Sequence, residues 1–271
     1  MRLGTMIVGC GLLAGLAMQS AAAQVGEAIC QGYGPQTPRD IDQHAGTNSH
    51  VFSKAPARAQ MNLCNIHFHH NAEHKAADFA LYAGPGSDGL GGGYQCAMSR
   101  QLSAEDLRSP ATDICQGLQP GNTIEVHWVY TTCEVQPGPG LGSCLTEACG
   151  NPELRVEAQV YTLVNDPDAG DFREMAYGGH IVDGFHQAKA IPEDTGTPLT
   201  FLGSTTGPQY TQAACSPLQV TWSVRPQCAR LDIHSLGAWC SENVFNEDHA
   251  HGVRQLVTDL SLLSEIHPAD H

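Results

Sequence analysis

The sequence predicts a mainly β protein, built as a single domain with few, short helices. Three observations carry this. Segments that alternate polar and apolar residues recur along the chain, clusters of Gly and Pro separate them, and sustained helical periodicity is rare. The clearest strands are expected at 61–69, 123–131, 154–164 and 218–224. Turn-rich loops are expected at 83–93 and 136–142, where Gly and Pro concentrate. Two helical stretches are expected. A short one is capped by Ser103, with Glu105 and Asp106 favouring its positive N-terminal end. A second is suggested near the C-terminus by the spacing of Val253, Leu256, Val257, Leu260 and Leu263, read as core packing.

The first 23 residues have another character. Arg2 precedes an apolar run from Met6 to Met18, which ends in Ala21-Ala22-Ala23. That is the layout of a secretory signal, and the run is shorter than the roughly 18 residues a membrane span needs. The expected mature domain is therefore 24–271, periplasmic or secreted, with no membrane partner. Thirteen Lys and Arg face 28 Asp and Glu, a formal charge of −15, which argues against nucleic acid or an anionic surface as partner. Of eleven cysteines only Cys10 falls in the signal, so an even number remains in an exported chain. Disulfides are expected there rather than free thiols, and the Cys144/Cys149 spacing is read the same way.

The chemistry concentrates on two expected strands. In Asn62-Leu63-Cys64-Asn65-Ile66-His67-Phe68-His69, alternation puts Asn65, His67 and His69 on one face and Cys64, Ile66 and Phe68 on the other. In Thr123-Ile124-Glu125-Val126-His127-Trp128-Val129-Tyr130, Glu125 and His127 oppose an apolar face. A lone His-x-His is commonly a pair of polar positions on a solvated strand. If the two strands are neighbours, however, His67, His69 and His127 supply three nitrogen ligands and leave a fourth tetrahedral position open, the arrangement of a catalytic zinc rather than a structural one. Asn65 and Glu125, each two residues from a histidine on the same face, are placed to orient the ligands by accepting their second N–H.

The stretch from Asn62 to Lys75, which continues through His70-Asn71-Ala72-Glu73-His74, resembles the signature of delta-class carbonic anhydrases. More loosely it resembles the alpha class, where a His-x-His strand is followed by Glu-His and then by a Glu-x-His strand. Flanking matches extend the likeness. Cys30-Gln31-Gly32 with Gln36-Thr37-Pro38 is similar to the amino-terminal alpha segment. Gly203-Ser204-Thr205-Thr206, with Cys215 and Val220-Thr221-Trp222, is similar to the alpha Gly-Ser-Leu-Thr-Thr and Val-Thr-Trp stretches. Long insertions between Glu73 and Glu125, and between Thr206 and Trp222, favour delta over alpha.

The resemblance implies a central, largely antiparallel sheet and reversible hydration of carbon dioxide to bicarbonate by a zinc-bound hydroxide, with cobalt or cadmium as metals that could replace zinc. It gives Glu73 and either Thr205 or Thr206 the task of orienting the nucleophile, Val156 and Trp222 an apolar wall, His74 a structural hydrogen bond and His50 the part of proton carrier. It also implies a Cys30–Cys215 disulfide. His249-Ala250-His251, beside Glu247 and Asp248, reads as a solvated surface segment. Two competing readings stand beside this one: a non-catalytic carbonic-anhydrase-like binding module, and a cupin-like metal oxygenase, which would need a carboxylate ligand and iron.

Overall fold

The structure is a computed structural model and describes residues 30, 32–87, 89–110, 115–204 and 214–267. The expected signal at 1–23, and Thr205 and Thr206, lie outside the described residues. In chain order the strands are β1 (Asn62–His70), β2 (Leu81–Tyr82), β3 (Tyr94–Gln95), β4 (Thr123–Thr131), β5 (Leu154–Val164), β6 (Ile181–Val182), β7 (Phe185–His186), β8 (Leu199–Ser204), β9 (Gln219–Val224) and β10 (Ala229–Asp232). One α-helix, α1 (Ile233–Ser241), and several 3-10 turns complete the described elements. No described helix is long and apolar enough to cross a membrane.

The six-stranded central sheet runs β1-β4-β5-β9-β8, with β10 beside β5. Antiparallel ladders join β1 to β4, β4 to β5 and β8 to β9, while two parallel ladders make the sheet mixed. Eleven-residue β5 takes both parallel partners in succession, β9 along 154–158 and β10 along 161–164. The four strands expected from alternation all form, within a residue or two at their ends.

Alternation divides the sheet into two packed faces. Ile66 and Phe68 of β1, with Ile124, Val126, Trp128 and Tyr130 of β4, pack with α1 through Leu236 and Trp239. Each fully buried Leu or Phe of this kind stabilises by about 1.5–3 kcal/mol. The opposite face carries Val129, Val156, Ala158, Val160, Phe201 and Trp222. Cys64 does not follow the expected parity. The β1–β4 register shifts between Leu63 and Asn65, so a bulge turns Cys64 away from Ile66 and into the second cluster.

Neither expected helix forms. At 103–106 the cap is present, because Ser103 Oγ accepts from the Asp106 N–H at 3.1 Å and the Asp106 carboxylate accepts from the Ser103 N–H at 2.9 Å. The chain makes a single turn there and leaves toward Pro110. Residues 253–263 form no α-helix and are irregular apart from one 3-10 turn at Leu260–Leu262. Their backbone groups bond to other segments, as in Val257 N–H to Pro38 O at 2.8 Å and Gln36 N–H to Leu262 O at 2.7 Å. The helix that does form, α1, begins where Asp232 accepts from the N–H groups of His234 and Ser235.

Every cysteine from Cys30 onward is paired: Cys30–Cys215, Cys64–Cys144, Cys96–Cys228, Cys115–Cys240 and Cys133–Cys149. Five disulfides suit an oxidising, extracellular type of environment.

Candidate metal centre

The β1–β4 register sets His67 opposite His127 and His69 opposite Glu125. The three imidazoles meet with ring centroids 5.2, 5.1 and 4.9 Å apart, and one nitrogen from each lies within 4.8 Å of the others. Each ring's other nitrogen is engaged by an acceptor. His67 Nδ1 lies 2.7 Å from Asn65 Oδ1, His69 Nδ1 lies 3.0 Å from the Gly252 carbonyl, and His127 Nε2 lies 3.0 Å from Glu125 Oε1. An acceptor there requires the N–H form of that nitrogen, which leaves Nε2 of His67, Nε2 of His69 and Nδ1 of His127 bare and facing one another. The last of these is 3.3 Å from His67 Nε2. Burial pushes His67 well below the usual histidine range and His69 to about 4, so both rings are neutral at pH 7, the form a metal binds.

Glu125 anchors this arrangement. Besides His127, its carboxylate accepts from the Glu73 N–H at 2.6 Å, the His74 N–H at 3.1 Å and the His74 ring. Burial alone would raise this carboxyl, but His74 and His127 outweigh it and hold it well below the usual carboxylate range. His74 is itself buried against Trp222, with centroids 4.9 Å apart. Trp222 also meets His127 at 5.3 Å, and Val156 pairs with Trp222 in register and with Val129 on its other side.

Glu73 lies behind His69, with Oε1 3.7 Å from His69 Nδ1. That carboxylate accepts from the Arg254 backbone N–H at 3.1 Å and from Nε at 3.3 Å. Burial would raise it, but Arg254 and the site histidines bring it down to about 2. Sequence reasoning missed Arg254, which sits in no recognisable motif.

A cleft of about 480 Å³ opens over His67 and His69, walled by Glu73, Leu90, Leu141 and His251. His251 departs from its reading as solvated surface. Its N–H donates to Phe68 O, and its carbonyl accepts from the His70 N–H, both at 2.8 Å, so it lies along the outer edge of β1. Its ring comes 5.8 Å from His67, and a hydrogen bond to Glu247 raises its pKa. The His-x-His at 249–251 was the only signal for it. His50 is exposed, its backbone N–H bonded to Asn48 Oδ1, and it is not among the described residues that line the cleft.

Adjacent strands β1 and β4 thus bring three oriented imidazoles together, two of them at the floor of an open cleft, in a group that could hold a metal ion. Residues 58–235, more than half of the chain, match the sequence profile of delta carbonic anhydrase. The chain belongs to that family. No curated protein matches it.

Proposed function

We propose that this chain is an exported, zinc-dependent carbonic anhydrase, which hydrates carbon dioxide reversibly to bicarbonate and a proton. One observation carries the reading: three imidazoles, each with its outer nitrogen engaged, bring one further nitrogen apiece together. This donor set fits zinc, and cobalt or cadmium would fit the same nitrogens. When bound, zinc of this ligation acidifies its water to a pKa of about 7, carbonic anhydrase being the standard illustration of that effect.

The chain's own residues supply the rest. Asn65, the Gly252 carbonyl and Glu125 fix ring orientation and tautomer. Val156 and Trp222, read from the sequence as an apolar wall for the substrate, are buried beside His127 with Val129 and support the ligand strand from behind. Glu73, ionised and held by Arg254, keeps a free lone pair for the hydroxyl of Thr205 or Thr206. Either threonine, both outside the described residues, would by donating to Glu73 be left to accept from the attacking water and aim it.

The test is metal analysis with stopped-flow hydration on wild type and Glu73→Gln in the same samples. One zinc per wild-type chain with hydratase activity is expected, and the variant should keep its zinc but lose roughly 10²–10³ in rate, the scale of one preorganised hydrogen bond. A zinc-loaded wild type without activity would make the chain a binding module, and bound iron would point to an oxygenase.

A further inference from the structure

We propose that the Cys64–Cys144 disulfide is a positioning device for the zinc ligand His67, acting through the Gly138 carbonyl and the Asn65 side-chain amide. The proposal rests on the zinc reading above and adds what holds the outer partner of one ligand in place.

Asn65 is fully buried, and its amide has two ends. Oδ1 faces His67 Nδ1 at 2.7 Å, while Nδ2 donates to the Gly138 carbonyl at 3.1 Å. A carbonyl accepts and cannot donate, so Gly138 dictates which end of the amide faces His67. With oxygen there, His67 keeps its proton on Nδ1 and offers Nε2 to the metal. A flipped amide would present N–H₂ to Nδ1, favour the proton on Nε2, and remove the ligand.

The Gly138 carbonyl therefore has to be held still, yet it lies in Gln136-Pro137-Gly138-Pro139-Gly140, a segment with almost no apolar anchor. Gly138 is buried between exposed Gln136 and Pro139. Two ties hold it to β1. Its own N–H donates to the Cys64 carbonyl at 3.0 Å, and Cys144, at the end of the same loop, is bonded to Cys64. The bulge at Cys64 makes this possible, because regular alternation would send the Cys64 side chain to the opposite face from Asn65. Cys133–Cys149 crosslinks the same excursion of chain but touches neither Asn65 nor Gly138, which makes it the natural control.

The experiment is a double-mutant cycle on zinc-loaded full-length protein, read as the rate of zinc release to a coloured chelator. Cys64→Ser/Cys144→Ser and Asn65→Ala should each weaken zinc binding by about 10 to 100-fold, and their combination should be no worse than either alone. Cys133→Ser/Cys149→Ser should release zinc as the wild type does. Nitrogen-15 spectra of the metal-free protein should show His67 protonated on Nδ1 in the wild type and mixed between tautomers in the Cys64/Cys144 variant. Additive losses, wild-type release from the Cys64/Cys144 variant, or an unchanged tautomer would overturn the proposal. Should that variant not fold, Asn65→Ala decides: wild-type release overturns the relay, and faster release with a mixed tautomer supports it. A wild type that takes up no zinc defeats the metal reading instead, and the tautomer, measured without metal, still decides the relay.

Discussion

Two regions build this centre in different ways. The β1–β4 pair places its residues through side-chain alternation and register, so that Asn65, His67, His69, Glu125 and His127 share one face by the geometry of the pleat. The segment from Glu247 to Arg254 has no regular structure and contributes largely through its backbone: the Gly252 carbonyl on His69, the Arg254 N–H on Glu73 and the His251 peptide groups on the edge of β1. The first region carries the three histidines proposed as metal ligands. The second fixes what stands behind them, and a backbone donor or acceptor leaves no mark in a sequence.

The sharpest way to break the comparison is on the strand side. His127→Ala should abolish hydratase activity and most zinc binding, measured as metal per chain and initial rate, because one of three ligands is lost. Full zinc occupancy in that variant would remove His127 from the centre.

On the other side the expected loss is of stability before chemistry. Arg254→Met leaves the Glu73 carboxylate buried without its partner and should cost about 3–5 kcal/mol, read by denaturant unfolding at pH 7. The acid side supplies the sign. The Glu73 carboxyl lies at about 2 in the folded protein against an ordinary 4.5. Its contribution is therefore complete above pH 4.5 and fades as pH falls toward 2. The wild type should lose that part of its stability across this window, and the deficit of Arg254→Met should shrink across it. A deficit unchanged from pH 7 to pH 2 would separate Arg254 from Glu73.

The smallest effect is expected where a strand residue acts only through another. Glu125→Gln should weaken zinc by about 10 to 100-fold, measured by competition with a chelator, since an amide cannot accept from all the donors that converge on this carboxylate. Unchanged affinity would mean that His127 is oriented by something else.

The same contrast explains what the sequence made legible. The four long strands and the face shared by the site residues followed from alternation, a signal written residue by residue. Cys64 was misplaced because a bulge inserts one residue into the count. The C-terminal apolar spacing suggested a helix, yet 253–263 is irregular apart from one 3-10 turn, with Val257 N–H and Leu262 O bonded to Pro38 and Gln36 rather than along a helix. Helix α1 was within reach, since Asp232 precedes Ile233, Leu236 and Trp239 at helical spacing. Cysteine parity announced disulfides, and family likeness supplied Cys30–Cys215, but the other four pairings depend on loops that come together only in the folded chain.

Strand β5 has a consequence for the order of assembly. Its free edge is completed by β9 and β10, which begin at 219 and 229, more than fifty residues after β5 ends at Val164. A chain emerging amino-terminus first thus presents β1, β4 and β5 with both edges bare, since the His251 segment beside β1 comes later still, and pairing across such separations is slow and prone to self-association. The proposed metal ligands all lie in the early part, β1 and β4, whereas Gly252 and Arg254 arrive last. The three histidines can be side by side before the peptide groups that lock them have been made, so capture of the ion can precede closure of the fold around it.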